Sequence, residues 1–369
     1  MKIHGGKRAF RYFIVLAALV LAAGCARQRT NRRAAAPAVA PTAAVAATPQ
    51  PTPLDQGKIT EFTLEHGGRT RRYLVHEPLN AKTGTPLAVV LSLHGGSGNA
   101  DAQVAISGLN LVADRRGFLV VYPEGTGPKL KGTTVGSWNA GGCCPPANEQ
   151  QVDDVGFIAA VLDDVAKNFT VDQRRIYVSG ISNGAQMAYR LACDLSDRIA
   201  AIAPIAAQGV MPDCAPSRAV SVLHFHGTAD PCALYDGGTC GGCFSKFLEE
   251  LGIPNEPRTW SCESVPSFMA KWRERNDCND LPQVTTQQGG ATCVTSQKCR
   301  GNSEVTLCAM AGMGHTYPGQ QYQLPACATD PAGSVCQLYG QTVGPVSNDL
   351  DANEKMWAFF QRHALPPGA

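Results

Sequence analysis

The sequence predicts an α/β fold in which a mostly parallel β-sheet is covered by helices on both faces. Apolar runs that suit strands alternate with segments of helical spacing, an alternation that is typical of parallel sheets. Two of the runs, Leu87–Leu93 and 118–122, are apolar almost throughout, as strands buried on both faces are. The chain has 369 residues, of which 44% are apolar, so it has enough material for a large core.

The predicted elements of the body begin at Lys58 with an antiparallel pair of strands. The predicted strands are 60–66, 71–76, 87–93, 118–122, 175–178, 200–206, 220–225 and 305–310, and the predicted helices are 102–115, 153–168, 185–193, 267–275 and 354–363. The segment 232–299 is rich in Cys, Gly and Pro and interrupts the alternation. We therefore predict one folded domain at 58–369 that contains an insertion at 232–299 with at least one helix.

The N-terminus has the pattern of an export signal. Basic residues come first, an apolar run follows at 12–23, and small residues then lead to Cys25. This arrangement resembles the bacterial lipobox, in which the cysteine is acylated, although Leu21 lies one position earlier than is usual. We predict a lipoprotein signal peptide at 1–24 and lipid attachment at Cys25, with an ordinary secreted protein or an uncleaved anchor as alternatives. Ala26 offers no retention signal, so the outer membrane or the cell surface is the expected location.

Residues 25–57 are predicted to form a flexible tether, because their Ala-, Pro-, Thr- and Arg-rich composition offers little to bury. The first 57 residues hold eight basic residues and one acid, which leaves 24 basic and 29 acidic residues from Lys58 onward. A mildly acidic body argues against nucleic-acid binding, since phosphate contacts need clustered Lys and Arg. No apolar run reaches the roughly 18 residues that a membrane span requires.

The cysteine content predicts disulfides. The chain has 15 cysteines, and with Cys25 set aside for lipid an even number remains, enough for up to seven bridges in an oxidising compartment. Most of them lie between Cys214 and Cys336, and their pairing stays open at this point.

Two cysteine pairs stand out by spacing. The adjacent Cys143 and Cys144 are expected to bond to separate distant partners, an adjacent-residue disulfide being the less favoured alternative. Cys240 and Cys243 have the spacing of a redox or metal-binding pair, but no matching second pair lies nearby, so structural bridges are expected.

The strongest chemical motif is Gly-Ile-Ser-Asn-Gly at 180–184. It lies between a predicted strand and a predicted helix, the context of a nucleophile elbow, where flanking glycines make room for a tight turn. Ser182 is the candidate nucleophile, and an ordinary glycine-flanked turn is the alternative. The backbone N–H of Asn183, at the start of the helix, is a candidate oxyanion donor.

A serine hydroxyl needs a base to remove its proton and a carboxylate to orient that base. On this type of sheet the acid and then the histidine follow the serine, each just beyond a strand. Asp230 and His315 meet both conditions, because they follow the predicted strands 220–225 and 305–310. Ser182, Asp230 and His315 are therefore the predicted triad, and Asp236, farther along the same loop, is the competing acid.

The remaining acids and histidines near these motifs are expected to support the fold rather than to react. Asp153 and Asp154 precede the serine, which is the wrong order, and we expect a helix start or a pocket wall there. His94 lies in a Gly-rich loop and is expected to brace the nucleophile. His224 and His226 alternate on one strand and could ligate a metal, but no carboxylate cluster accompanies them, so packing is favoured and no metal is predicted.

A second oxyanion donor is expected in the His-Gly-Gly-Ser-Gly segment at 94–98, directly after a predicted strand. The N–H of Gly96 is the favoured donor, and that of Ser97 is the alternative. The segment lacks a P-loop Lys-Ser/Thr and a G-x-G-x-x-G pattern, so nucleotide binding is not expected.

Seven segments carry a resemblance that covers roughly residues 60–365. They are LSLHGGSGNA (91–100), VVYPEG (120–125), SWNAGGCC (137–144), VDDVGFI (152–158), YVSGISNGAQMAYRLAC (177–193), HGTADP (226–231) and GMGHTYPG (312–319). Together they resemble the poly(3-hydroxybutyrate) depolymerase-like esterases, secreted α/β-hydrolases that also include feruloyl and acetylxylan esterases. The resemblance implies an α/β-hydrolase fold and a Ser–Asp–His hydrolase without a metal or organic cofactor, and the family motifs fall on Ser182, Asp230 and His315.

The resemblance also suggests that Trp138 and Tyr317 line the substrate cleft, with packing beneath their loops as the alternative. The region 232–262 is longer and more Cys-rich than the plain family pattern, and it could cap or reshape the cleft.

These observations predict an exported serine esterase whose partner is a small ester, an oligomeric polyester or a plant cell-wall ester. A peptidase of the same fold and a non-catalytic surface-binding protein on a hydrolase fold are the alternatives. The acyl group stays open between hydroxyalkanoate, ferulate and acetate.

Overall fold

A computed structural model describes residues 57–367 apart from 83, 131, 211–212, 251–258, 322–323, 325–326 and 328. The predicted signal peptide at 1–24, the predicted lipid site at Cys25 and nearly all of the predicted tether at 25–57 lie outside the described residues. No helix in the described part has both the length and the apolar character that a bilayer span requires.

The described residues form fourteen strands and eight α-helices. The strands are β1 Lys58–His66, β2 Arg69–Glu77, β3 Leu87–Leu93, β4 Leu119–Pro123, β5 Lys129–Leu130, β6 Thr133–Thr134, β7 Val171–Ile181, β8 Ala201–Ile205, β9 Ser221–Gly227, β10 Gly238–Gly241, β11 Thr259–Cys262, β12 Gln283–Gln288, β13 Ala291–Ser296 and β14 Val305–Met310. The helices are α1 Ala100–Ser107, α2 Leu109–Arg116, α3 Asp154–Asn168, α4 Asn183–Asp194, α5 Cys243–Glu250, α6 Val265–Arg275, α7 Ser334–Val343 and α8 Ala352–Phe360.

Ten of the strands form one sheet in the order β1-β2-β4-β3-β7-β8-β9-β14-β13-β12. The strands from β4 to β14 in this order are parallel neighbours, and antiparallel strands extend the sheet at both edges. The predicted mostly parallel sheet and the opening antiparallel pair are confirmed. The carboxyl ends of β7, β9 and β14 therefore lie along the same edge, where such sheets carry their sites.

Both faces of the sheet are covered, which explains why its central strands are apolar almost throughout. Along β3, Val89 and Leu91 belong to one apolar cluster with side chains from α3, α4 and α6. Ala88 and Val90 belong to the opposite cluster, to which α1, α2 and α8 contribute. Because the side chains of a strand alternate between faces, each buried residue of β3 serves one of the two cores.

The predicted helix at 102–115 is two helices in the structure. Gly108 ends α1 and precedes α2, and its φ of 59° lies in the left-handed region that favours glycine. The side chain of Asn99 caps α1 by accepting a hydrogen bond from the N–H of Ala102. Asp153 caps α3 in the same way through the N–H of Gly156, as expected for a helix start.

The segment 232–299 contributes more to the fold than the sequence analysis predicted. It contains α5 and α6, and α6 buries Met269 and Trp272 in the core on one face of the sheet. Two strands that the sequence did not reveal, β12 and β13, extend the main sheet beyond β14. The sequence of β12, QVTTQQ, is polar and largely exposed, so it lacks the apolar alternation by which strands are recognised.

Seven disulfides join the fourteen cysteines that follow Cys25. The pairs are Cys143–Cys144, Cys193–Cys214, Cys232–Cys243, Cys240–Cys262, Cys278–Cys299, Cys293–Cys308 and Cys327–Cys336. The favoured expectation that Cys143 and Cys144 bond to distant partners is wrong, since they bond to each other. Cys240 and Cys243 belong to two different structural bridges, as expected.

Candidate active site

Ser182 occupies a strained turn between β7 and α4. Its φ of 57° and ψ of −123° are rare for a residue with a side chain. The flanking glycines are required by space, because a Cβ on Gly184 would lie 2.3 Å from the carbonyl oxygen of Leu93 and one on Gly180 would lie 2.6 Å from that of Gly184. These features are those of a nucleophile elbow, in which the turn exposes the serine above the sheet.

The loop after β3 runs beside this turn. A Cβ on Gly95 would lie 3.3 Å from the Cβ of Ser182, and one on Gly96 would lie 3.8 Å from that of Asn183. As the first residue of α4, Asn183 has a backbone N–H without an acceptor inside the helix. The two predicted oxyanion donors, on Gly96 and Asn183, are thus on adjoining backbone segments.

His94 supports the loop that carries Gly96. Its imidazole is buried, its Nδ1 lies 2.7 Å from the oxygen of Gly95, and its Nε2 accepts a hydrogen bond of 2.9 Å from the N–H of Gly125. His94 was expected to brace the nucleophile, and these contacts hold the loop that runs beside Ser182. Burial lowers the pKa of His94 to about 4, so the imidazole is neutral and can accept this bond.

Asp230 and His315 form a buried hydrogen-bonded pair. Nδ1 of His315 lies 2.9 Å from Oδ2 of Asp230, and both residues are less than one-tenth exposed. The second carboxylate oxygen of Asp230 accepts bonds of 2.8 Å from the N–H groups of Cys232 and Ala233. Burial alone would raise the pKa of Asp230, but these bonds and the nearby imidazoles lower it, so the carboxylate is ionised. The competing acid, Asp236, is exposed.

Because Nδ1 of His315 is engaged by the carboxylate, its Nε2 is the atom available to a substrate or to the serine. In the part of the chain that the structure describes, the hydroxyl of Ser182 forms no hydrogen bond with His315. Catalytic hydrogen bonds are often long in enzymes without substrate and shorten when the complex forms.

Comparison with known proteins is consistent with this geometry. A family profile described as esterase PHB depolymerase matches residues 72–242. The putative esterase NocK of Nocardia uniformis subsp. tsuyamanensis is 31% identical over 324 residues, which cover 83% of this chain and 89% of that protein. This chain belongs to the PHB depolymerase-like esterase family. The resemblance drawn from the sequence motifs is confirmed.

Two further relatives of this PHB depolymerase-like chain carry more specific names. Feruloyl esterase B of Piromyces equi is 28% identical over 250 residues, or 66% of this chain and 42% of that protein. Poly(3-hydroxyalkanoate) depolymerase C of Paucimonas lemoignei is 25% identical over 248 residues, or 66% of this chain and 58% of that protein. The chain therefore spans about half the length of these two relatives.

The two aromatic residues that were expected to line the cleft of this esterase-family chain do not do so. Trp138 and Tyr317 are fully buried, so the alternative of packing beneath their loops is correct. The indole N–H of Trp138 donates to the oxygen of His94, and the hydroxyl of Tyr317 donates to Oδ1 of Asn353. Family motifs identified the residues but not the directions of their side chains.

The loop 138–144 of the PHB depolymerase-like domain packs against Gly96 and Asn183, which carry the predicted oxyanion donors. The side chain of Asn183 accepts from the N–H of Trp138 and donates to the oxygens of Trp138 and Cys143. The Cys143–Cys144 disulfide lies here, and a Cβ on Gly96 would be 3.0 Å from Sγ of Cys144. The adjacent-residue disulfide is thus part of the wall beside the predicted oxyanion donors.

A buried ion pair fixes the start of this loop. Asp154 is fully buried, accepts 2.8 Å bonds from Arg71 and from the N–H of Asn139, and so links β2 to the residue after Trp138. The guanidinium of Arg71 also lies over the ring of Phe157 at 3.7 Å. Asp154 was expected at a helix start or a pocket wall, and no local sequence pattern indicated its partner.

His224 and His226 form a hydrogen-bonded chain behind the acid. Tyr189 OH lies 2.7 Å from Nδ1 of His224, Nε2 of His224 lies 2.9 Å from Nδ1 of His226, and Nε2 of His226 lies 2.7 Å from the oxygen of Ala233. All three side chains are buried. The ring nitrogens that could ligate a metal are used within this chain of bonds, an arrangement that suits the packing role expected for both histidines.

Among the residues that the structure describes, one group of potential ligands lies close enough together to consider a metal, namely Asp230, Cys232 and His315. Sγ of Cys232 is bonded to Cys243, so it cannot act as a thiolate ligand. Asp230 and His315 are bonded to each other. This donor set does not fit a metal.

Proposed function

We propose that this chain is an exported serine esterase that hydrolyses carboxylic esters with Ser182, His315 and Asp230. The observation that carries the proposal is the buried Asp230–His315 bond, formed by residues that follow β9 and β14. Ser182, at the end of β7 on the same sheet edge, is the nucleophile, and its strained turn suits this role. The family membership supports the reaction class.

The proposed reaction has two halves. Oγ of Ser182 attacks the ester carbonyl while Nε2 of His315 takes its proton, and the N–H groups of Asn183 and Gly96 stabilise the oxyanion. His315 then gives the proton to the leaving alcohol, and an acyl group remains on Ser182. A water molecule, activated by the same imidazole, releases the acid. Asp230 holds the ring in the required tautomer and stabilises the imidazolium.

The names of the relatives support an ester of a polyester or of a plant cell wall as the substrate. We propose this range together with small esters, and we propose no metal or organic cofactor for the reaction. No contact of the described residues favours an amide substrate, so a peptidase is not proposed.

We further propose that the protein is exported and held at the cell envelope by a lipid on Cys25. The seven disulfides support export, because such bridges persist in oxidising compartments. Metabolic labelling with a palmitate analogue checks the anchor. Label and membrane fractionation should both be lost in Cys25→Ala, and label retained in that variant would contradict the proposal.

The catalytic proposal is tested with Ser182→Ala on short p-nitrophenyl esters. The rate should fall on the order of 10³–10⁶-fold, and a fluorophosphonate probe should label the wild type but not the variant. Ser267→Ala, an exposed serine on α6, is the matched control and should keep full activity. Undiminished turnover by the Ser182 variant would remove the proposal.

A further inference from the structure

Two helices that the proposed reaction does not use bring aromatic side chains to the predicted general base. Phe244 and Phe247 belong to α5, Tyr339 belongs to α7, and the two helices pack against each other. The ring centroid of Phe244 lies 6.4 Å from that of His315, at an interplanar angle of 79°. The ring of Tyr339 lies 6.0 Å from Phe244 and 5.7 Å from Phe247. We call these three side chains the aromatic wall.

The aromatic wall presents an apolar surface to solvent beside a buried histidine. Phe244 is 38% exposed, whereas its neighbour His315 is 6% exposed. Phe244 and Phe247 have no ionisable group, and burial raises the pKa of Tyr339 to about 12, so the wall carries no charge near neutral pH. Exposed apolar surface at the edge of a polar catalytic group is typical of a binding site.

A disulfide and a backbone hydrogen bond fix the position of the aromatic wall relative to Asp230 and His315. The Cys232–Cys243 disulfide joins the residue before Phe244 to the loop whose N–H groups bind Asp230. On the other side, the N–H of His315 donates to the oxygen of Val343, the last residue of α7. Because both helices are tied directly to the Asp230–His315 pair, the surface is preformed rather than a free loop.

The position of the wall determines which part of an ester it contacts. The oxygen of the leaving alcohol must come within hydrogen-bond distance of Nε2 of His315 to receive its proton. The oxyanion donors lie elsewhere, beside Ser182 at Gly96 and Asn183. A ring next to the imidazole therefore faces the alcohol portion of the substrate rather than the oxyanion.

We infer that the aromatic wall is a subsite for the leaving alcohol and that it selects esters of aromatic or other bulky apolar alcohols. The inference rests on the proposed esterase reaction and adds the alcohol class to it. Contact between Phe244 and such an alcohol buries apolar surface in the transition state, and its loss should reduce kcat/KM about 10- to 100-fold. A methyl ester does not reach the ring and should be unaffected.

The test compares benzyl acetate with methyl acetate, which share an acyl group and have alcohols of similar acidity. In Phe244→Ala, kcat/KM for benzyl acetate should fall about 10- to 100-fold, while that for methyl acetate should change less than about 3-fold. Phe244→Leu keeps apolar bulk and should retain part of the preference for benzyl acetate over methyl acetate. It replaces the alanine variant in the test if that variant folds poorly. Leu281→Ala, at a residue that is 81% exposed, is the control and should change neither substrate.

Methyl 3-phenylpropanoate is the third substrate. Its aromatic ring is on the acyl side, so it shows whether Phe244 acts on the acyl group instead of the alcohol. Equal losses on benzyl and methyl acetate, no loss on either, or a loss that follows the acyl ring instead of the alcohol ring would overturn the inference. Ser182→Ala on methyl acetate tests the underlying reaction separately. A wild type that hydrolyses methyl acetate through Ser182 but does not prefer benzyl acetate would refute only the alcohol subsite, and a wild type inactive on all three esters would refute both.

Discussion

Protonation of His94 should destabilise the fold in mild acid. The imidazole is fully buried between the loop after β3 and Gly125, and it accepts the N–H of Gly125 with a nitrogen that must be unprotonated. Burial is the largest cause of its lowered pKa, the bond to the oxygen of Gly95 and the charge of Glu124 oppose it, and the charge of Arg71 adds to it. A proton taken up at this position would therefore break a bond that shapes the site.

The size of the effect follows from the two pKa values. The folded-state pKa of His94 is about 4, against an ordinary value of 6.5, so the unfolded chain binds the proton more tightly. The contribution of the neutral, buried His94 to the free energy of unfolding is then maintained above about pH 6.5, and it is lost as the pH drops toward 4. The loss from this one residue amounts to about 3 kcal/mol between pH 7 and pH 4.

Urea unfolding followed by tryptophan fluorescence, with disulfides intact, measures this loss at pH 7, 5.5 and 4. The comparison is with His94→Gln, whose amide can accept the N–H of Gly125 at every pH. The wild type should lose about 3 kcal/mol more than the variant over this range. Burial also lowers the pKa of His76, His224 and His226, but these residues are present in both proteins and cancel in the difference. Parallel pH dependence of the two proteins would refute the reasoning.

Three further predictions concern stability, and each is measured by denaturant or thermal unfolding. Asp154→Ala should lower the free energy of unfolding by about 3–5 kcal/mol, because it leaves the buried Arg71 unpaired. Asp163→Ala is the control in the same helix; its side chain is 61% exposed, and its loss should lower the free energy of unfolding by less than about 1 kcal/mol. Equal effects of the two variants would contradict the burial argument. Gly184→Ala should destabilise the fold by about 1–3 kcal/mol or more, since its Cβ would meet backbone oxygens. Gly340→Ala in α7 is the control; its Cβ would have nothing within 4 Å, and it should stabilise the fold by about 0.5–1 kcal/mol. Unchanged stability of Gly184→Ala would show that the turn at Ser182 can shift to make room for a methyl group. His226→Phe should cost about 1–3 kcal/mol, because it leaves a neighbouring buried imidazole N–H without an acceptor, and an unchanged Tm would argue against the ordered chain of bonds.

The central sheet could be predicted from the sequence because burial on both faces makes strands such as β3 and β4 apolar almost throughout. The positions of Ser182, Asp230 and His315 also followed from local information, since each lies at a strand end with a recognisable turn. Two kinds of feature were not predicted: the break between α1 and α2, and the strand β12, whose residues are polar. Gly108 was a visible signal for a helix break, but β12 carries polar side chains on an edge and gives no periodic pattern.

Contacts between distant segments left no trace in the sequence. The pair of Arg71 and Asp154 joins residues 83 positions apart in the chain, and no local pattern shows which charged residues will meet. Trp138 and Tyr317 lie in motifs typical of the family, but a motif does not give the direction in which a side chain points. The bond between Cys143 and Cys144 depends on backbone geometry rather than on spacing alone.

The connectivity of the disulfides has a consequence for how the protein matures. In the described part of the chain, no bridge spans more than 22 residues. Each thiol thus has its partner close by in the chain, and short covalent loops lower the entropy of the unfolded chain only modestly. Six of the seven bridges follow β7, and the seventh joins adjacent residues, so no bridge ties together the strands β1 to β4. Mild reduction should therefore loosen the segments after β7, which carry His315 and the aromatic wall, before the strands β1 to β4.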